Sequence, residues 1–409
     1  VLGITNWTSL GANTWLKTSL AASTQANERT SIRASDTNIS DVDHLRESKI
    51  SGAVTFYHRF SLHNRLVAGA MITSQYYMDD RLLDGFEFAP KPEHQFVSTQ
   101  PWVNYIWSSP SNNLVLNAGL HAFIIPYINK NSVEPRLSMS RIFSERHRLT
   151  LSWGKFSQVA PLWLLKSNLD LLKAWHAGLR YSWTPSTSWA VKGELFWQRQ
   201  MNQAVDPYSQ AYSILNVTES SDHFYPVLNY TGLGENKGLE LSVEHYLSGD
   251  WFMAANTTLF NSSYQGSDKI WRDTRWNLGH LANFTLGKEW YKERTAGKIR
   301  AFGLNGRIVW TGGYREMPID LVNSALLNAT YYDTRSGFTV QLPDYYRVDL
   351  RIYWKRSLGN RRNSTFAMDF QNVTNQQNVA YHYYDAFTHK VETKYQLGLI
   401  PNISWRLEF

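Results

Sequence analysis

The chain has 409 residues, no cysteine, and 41 Lys and Arg against 34 Asp and Glu, for a net charge of +7. The missing cysteine excludes disulfide frameworks, Cys-ligated zinc, iron–sulfur clusters and thiol catalysis. Aromatics reach 14% and charged residues only 18%, against about 25% in an ordinary soluble domain, and no window approaches the roughly 18 consecutive apolar residues of a membrane helix.

Along the chain the recurring signal has period 2, which puts alternate side chains on opposite faces of a strand. Val54, Phe56 and Phe60 alternate with Ala53, Thr55, Tyr57 and Arg59. The pattern returns at 114–122, 148–154 and 191–198, and at 238–246 Leu239, Leu241 and Val243 oppose Glu240, Ser242 and Glu244. It continues at 302–310, 347–354 and 366–371. In 347–354, Val348, Leu350, Ile352 and Trp354 oppose Arg347, Asp349, Arg351 and Tyr353. It ends at Ile403, Trp405, Leu407 and Phe409, which oppose Asn402, Ser404, Arg406 and Glu408. Charges in mid-strand suit either a face in bulk water or the hydrated lumen of a large barrel.

The connections decide between these two. Short ones, such as Ser61-Leu-His-Asn64, Ser144-Glu-Arg-His147 and Ser248-Gly-Asp250, alternate with long ones near 34–48, 79–94, 157–173, 204–235, 264–275, 314–342 and 377–394. The exception is 127–131, short where a long one is due. Short turns on one rim and long loops on the other define an antiparallel transmembrane β-barrel of the outer membrane. The spacing predicts about sixteen strands in one domain, 1–409, with the first strand near 13–33 and the last near 394–409. The last strand then runs toward the short-turn rim, so the C-terminus is periplasmic. Ten tryptophans near strand ends, Trp107, Trp290, Trp354 and Trp405 among them, suit interfacial girdles. The stretch 160–173 is the most helix-like and predicts a short helix on the outer rim.

Motifs for chemistry are absent. The twelve His show no ligand spacing, and no HExxH, GxSxG or P-loop occurs. Gly232-Leu-Gly234 lacks a third glycine, and the loop acids Asp79/Asp80 and Asp41/Asp43 are too few for calcium. The densest basic cluster, Lys355-Arg356…Arg361-Arg362, lies in a turn, so no nucleic-acid partner is expected. Neither an enzyme, a metal site nor a cofactor is expected.

Five segments resemble, in order, the barrel of TonB-dependent outer-membrane receptors of the Bacteroidetes type. They are Ser132-Val-Glu-Pro-Arg136, Asn236-Lys-Gly-Leu-Glu240, Gly312-Gly-Tyr-Arg315 with Pro318-Ile-Asp320, Phe370-Gln-Asn-Val-Thr-Asn375, and Leu399 to Phe409. The resemblance implies a barrel of about 22 strands, a plug domain that nothing in this sequence matches, and ligand import driven through the TonB complex. Val1-Leu-Gly-Ile-Thr5 shows no signal peptide, so the chain is expected to be the C-terminal piece of a longer receptor, or one half of a receptor made as two chains. The cargo would be a scarce ligand such as a siderophore, glycan or peptide. Candidate ligand contacts are Trp163, Tyr208, Tyr212, Tyr225, Trp271, Arg272, Arg275, Tyr314, Tyr331 and Tyr332. Ile403, Trp405, Leu407 and Phe409 resemble the recognition signal for the barrel-assembly machinery. Further partners would be outer-membrane lipid, lipopolysaccharide, and a surface lipoprotein or other outer-membrane proteins. The alternatives are a passive porin of about sixteen strands and a barrel scaffold or translocon subunit.

Overall fold

The computed structural model describes residues 1–33, 36–83, 86–87, 93–164, 169–217, 228–294, 298–359 and 362–409. The main sheet has 19 strands, two of which, Phe86–Glu87 and Trp271–Asp273, are short loop segments. The other 17 pair antiparallel with their neighbours in chain order to form the wall of a β-barrel. They are β1 Leu2–Gly11, β2 Thr14–Arg33, β3 Asp36–Arg59, β4 Asn64–Leu83, β5 Glu93–Ser108, β6 Leu114–Ile125, β7 Lys130–Ser144, β8 His147–Val159 and β9 Leu171–Ser186. Then come β10 Trp189–Val205, β11 Asn229–Ser248, β12 Trp251–Gln265, β13 His280–Arg294, β14 Lys298–Thr311, β15 Tyr345–Gly359, β16 Arg362–Gln371 and β17 Ile400–Glu408. Among the described pairings, β1 meets only β2 and β17 meets only β16.

The register turns each strand's alternation into a two-faced wall. Leu151, Leu179, Leu195, Leu239 and Leu259 stand opposite one another on five successive strands, an unbroken row of leucines. Most are close to half exposed, as are Leu137, Leu241 and Ile72. A water-soluble surface does not carry a continuous apolar face of this extent. Nearer the short-turn rim, Trp290, Phe302, Trp354, Phe366 and Trp405 form a second row across β13 to β17. Their successive rings lie 5.5–5.9 Å apart from Trp290 to Phe366. Trp310 stands eight residues above Phe302 on the same face of β14, about 27 Å along the strand at 3.4 Å per residue. The opposite, inward face is polar. It pairs Arg180 with Glu194 at 2.6 Å, Arg351 with Asp369 at 2.9 Å and Lys355 with Glu289 at 2.8 Å.

Local chemistry sets the short turns. Gly249 and Asp250 have φ of +60° and +69°, the left-handed pair that matches the twist of two hairpin strands. The exceptional short connection at the other rim is a 3₁₀ turn, Pro126–Ile128, closed by Asn129 at φ +52°.

Three expectations are corrected. First, β1 precedes the strand expected to be first, near 13–33; the 17 long strands among the described residues agree with the expected count of about sixteen. Asn6 and Thr8 interrupt the outward face of β1, Leu2, Ile4 and Leu10, and hide the alternation. Second, much of the expected long connection at 34–48 is ladder: β2 and β3 stay paired from Thr14↔His58 to Arg33↔Asp36. Backbone hydrogen bonds carry these strands past the apolar band, where side chains no longer need to alternate. Third, the described residues of 160–173, which leave out 165–168, form no α-helix. The stretch holds a 3₁₀ turn, Leu162–Leu164, and the start of β9. Its leucines are spaced by burial: Leu164, Leu169 and Leu172 pack with Tyr77, Ala160, Ala204 and Leu228 at the long-loop end. Among the described residues one α-helix, α1 (Leu321–Leu327), lies in the β14–β15 connection, capped by Asp320, whose side chain accepts from the amides of Val322 and Asn323.

Candidate functional site

Three neighbouring connections meet over the β12–β17 side of the wall. The first is 266–279. The second is 312–344, tied to itself by Arg315–Glu316 pairing with Val340–Gln341 and by an Ile319–Tyr332 bridge. The third carries the hairpin Val379–Asp385 with Lys390–Tyr395. Their closeness depends on two glycines. A Cβ on Gly312 would lie 1.8 Å from the Leu278 carbonyl oxygen, and one on Gly313 would lie 1.8 Å from that of Leu342. The Leu342 amide then donates to the Tyr314 carbonyl at 2.9 Å. The Gly312-Gly-Tyr-Arg315 motif therefore seats three backbones against one another.

Asparagines do similar work at Phe370-Gln-Asn-Val-Thr-Asn375. Asn372 and Asn375 take left-handed φ of +53° and +52°. The Asn372 side chain donates to the Gln376 carbonyl at 2.9 Å and accepts from its amide at 3.1 Å, and Asn375 accepts from the Leu399 amide at 3.0 Å. These bonds aim the third connection back over the wall.

Between the three connections is a cavity of about 350 Å³, within the range of small-molecule sites. Arg275, Trp276, Tyr314, Arg315, Glu316, Tyr332 and Tyr381 line it. Trp276 meets Tyr314 edge-on at 5.9 Å, and the Arg275 guanidinium lies 5.7 Å from the Trp276 ring centre. Arg315 pairs with Asp273 at 3.1 Å, and Glu316 with His382 at 2.9 Å. Burial pushes the Tyr332 phenol above its ordinary value, and the Glu316 carboxylate adds to this. Tyr332 is therefore a neutral hydrogen-bond donor at physiological pH. The lining thus offers flat aromatic faces, a phenol and two guanidiniums.

Of the ten loop candidates, Arg275, Tyr314 and Tyr332 come together here. Trp271 points outward, with Arg199 4.8 Å from its ring centre. Arg272 is taken up by Asp268 at 2.6 Å. Tyr331 holds the loop through its backbone, its amide donating to Ser324 Oγ at 2.9 Å. Tyr208 is 85% exposed, and Tyr212 packs against the buried cluster at the loop end. The Trp163 side chain and Tyr225 lie outside the described residues. Trp276, Arg315, Glu316 and Tyr381 are absent from the sequence-based set, and the paired glycines 312–313 are the local signal nearest to them.

Below the cavity, Trp276 also lines a hollow of about 340 Å³ with Phe196, Gln198, Asn236 and Phe260. Phe196 and Gln198 in turn border a third hollow of about 440 Å³ on the inward face, with Arg136, His176 and Glu194. Among the described residues no group of three or more His, Cys, Asp or Glu is placed to hold a metal ion.

A two-faced wall with a loop layer over one rim is the architecture of the TonB-dependent outer-membrane receptors, and the chain has that β-barrel fold. It is similar to BauA, the ferric preacinetobactin receptor from Acinetobacter baumannii, at 13% identity and a TM-score of 0.67, over 98% of this chain and 61% of that one. It is similar to FyuA, the ferric yersiniabactin uptake receptor from Yersinia pestis, at 11% identity and a TM-score of 0.67, over 100% and 60%. The copper transporter OprC matches at 11% identity and a TM-score of 0.64, over 99% and 63%. The chain thus spans about three fifths of the length of the structures it matches. No family model and no curated protein matches the sequence.

Proposed function

We propose that the chain is the barrel portion of a TonB-dependent outer-membrane importer, with its long loops outside the cell and its C-terminus periplasmic. The observation that carries this reading is the position of Trp276, which lines both the loop cavity and the topmost hollow of the inward face. A ligand held among the loops would sit directly above a polar path down the wall. The outward leucine row faces lipid, and the aromatic row marks the periplasmic interface. The cargo is a compact, scarce solute with flat and anionic groups, matched to the rings of Trp276 and Tyr314 and to Arg275. The similar structures include a ferric-chelate receptor and a copper transporter, so the fold leaves the cargo open. The Bacteroidetes assignment rests on the five sequence motifs. In this reading the chain is not an enzyme. TonB acts through a plug domain, the barrel-assembly machinery reads Ile403, Trp405, Leu407 and Phe409, and lipopolysaccharide surrounds the outer rim.

The test is uptake in cells that depend on this protein. Candidate ferric chelates should enter only while the proton gradient stands, and a protonophore should abolish entry. Ungated ion conductance in planar bilayers, with uptake unaffected by the protonophore, would establish the passive porin instead.

A further inference from the structure

We propose that the hollow beneath Trp276 binds an uncharged saccharide ring, so that the cargo is bipartite: an anionic group held by Arg275 among the loops, and a neutral sugar below it. Two phenyl rings form the wall side of this hollow. Phe196 on β10 and Phe260 on β12 both stand opposite Gly238 on β11. A Cβ on Gly238 would lie 2.8 Å from each of these side chains, so the glycine lets the two rings close over the strand between them. The loop side is the Trp276 indole. Its N–H donates to the Leu215 carbonyl at 3.1 Å, and the Arg275 amide donates to Asn216 Oδ1 at 2.9 Å. These bonds pin the 266–279 connection to the 3₁₀ turn Ile214–Asn216 and fix the indole between cavity and hollow.

The polar lining is neutral. Gln198, Gln200, Asn236 and Thr258 supply amides and a hydroxyl, and among the described residues no charged side chain lines the hollow. The cavity above has Arg275, Arg315 and Glu316, and the hollow further down has Arg136 and Glu194. This contrast sets the ligand class. An ion moved into the neutral hollow would lose hydration with no counter-charge in its place. An apolar group would leave the polar ends unpaired. Among the described residues the Gln200 side chain and the Thr258 hydroxyl make no hydrogen bond, and Gln200 Oε1 is buried. Asn236 donates to Gln198 Oε1 at 3.3 Å, which leaves the Gln198 amide nitrogen as a free donor. Aromatic rings on two sides and neutral donors and acceptors between them match a sugar ring. Its C–H faces pack on the rings, and its hydroxyls both donate and accept.

A bipartite cargo deepens the import reading, which the protonophore test decides on its own. The full chain, purified in a sugar-free detergent, is titrated by calorimetry with three probes. These are 4-carboxyphenyl β-glucoside; 4-methoxybenzoate, which has a methyl group in place of the sugar; and phenyl β-glucoside, which lacks the carboxylate. The carboxyphenyl glucoside should bind at least tenfold more tightly than either of the others, since a site built to hydrogen-bond hydroxyls discriminates strongly against their absence. Thr258→Val with Gln200→Met should bring it down to the affinity of 4-methoxybenzoate while the heat-modifiable gel mobility is kept. Thr258→Ser, which retains the hydroxyl, should keep the advantage. Arg275→Ala should weaken both acids and preserve the ratio between them. A phenyl glucoside as tight as the carboxyphenyl glucoside would make the ligand a free sugar and overturn the bipartite cargo. Equal affinity of the two acids, binding of neither, or an undiminished advantage in the folded double variant would overturn the saccharide site. Uptake that ignores the protonophore would sink the import reading alone, because these affinities are measured on the purified protein.

Discussion

The Tyr353 hydroxyl donates to a Glu289 carboxylate oxygen at 2.7 Å, although Tyr353 is on β15 and Glu289 on β13, with β14 between them. The gap is bridged because the β14 residue opposite both is Gly303. A Cβ there would come within 2.0 Å of the Tyr353 ring. The tyrosine lies flat over the glycine, and Lys355 reaches the same carboxylate at 2.8 Å. Gly287 beneath Phe252 repeats the arrangement. Gly303→Ala must lift the ring and break its hydrogen bond, a loss of about 1–3 kcal/mol. The urea midpoint for unfolding in detergent should fall. In a Tyr353→Phe background the alanine should cost less, because the hydrogen bond is already gone. A wild-type midpoint for Gly303→Ala would show that the ring has no need of the glycine.

Gly313 makes the corresponding prediction for the loops. Its missing side chain lets the 312–344 connection close on Leu342. Gly313→Ala should open the cavity and weaken ligand binding by at least tenfold, yet leave heat-modifiable migration and outer-membrane yield intact. If yield falls along with binding, the closure serves folding of the wall and not the site.

Within the cavity, Arg275 and Tyr332 should contribute unequally. Loss of a charge-assisted contact at Arg275→Ala costs about 1.5–3 kcal/mol, roughly 10- to 100-fold in affinity. Loss of the neutral phenol at Tyr332→Phe costs about 0.5–1.5 kcal/mol. Trp271→Ala and Tyr208→Ala should leave affinity unchanged, since neither lines the cavity. Titration of the purified protein with whichever candidate solute the uptake assay accepts separates these cases, and an equal loss at Trp271 would move the site elsewhere.

The sequence made the wall legible because lipid imposes one rule on every strand that crosses it. Leu195, Leu239 and Leu259 each follow period 2, and pairing then aligns them with no further information. β1 escaped because Asn6 and Thr8 break that rule. The loop layer obeys no such rule. Trp271, Arg272 and Arg275 are neighbours in the chain, and the sequence offers all three as ligand contacts. In the structure Trp271 turns outward under Arg199, Arg272 is neutralised by Asp268, and only Arg275 reaches the cavity. Tyr381 arrives there from a hairpin more than a hundred residues further along the chain. Such a meeting depends on which loops are adjacent around the wall, and no local pattern records it.

The Asp268–Arg272 pair gives a pH prediction. The hydrogen-bonded Arg272 guanidinium holds the Asp268 carboxyl below the ordinary carboxylate range. A depressed folded value means that the pair's contribution is complete above the unfolded pKa, about 3.9, and is lost as pH falls through the lower folded value. Hydrogen exchange across 266–279 should therefore be flat from pH 8 to 5, after correction for intrinsic rates, and should rise only in stronger acid. Asp268→Asn should raise it at pH 7, because Arg272 would be left largely buried with a weaker acceptor. The local loss is about 1.5–3 kcal/mol. Protection that falls between pH 7 and 5 would assign the effect to another group.

The closing strand separates stability from assembly. Trp405 stands opposite Phe366, and its indole N–H donates to Ser364 Oγ at 3.0 Å. Trp405→Ala should lower the urea midpoint of the finished barrel. Phe409 lies beyond the last ladder pair, Asn363↔Glu408, and is 90% exposed. Its removal should leave that midpoint and the ligand affinity unchanged. What should fall is the fraction of newly made protein that reaches the heat-modifiable form in the outer membrane. That split follows only if Phe409 is read by the assembly machinery before the wall is complete. Pulse-labelled cells resolve it: normal assembly kinetics without Phe409 would remove the last residue from the signal and leave Trp405 and Leu407 to carry it.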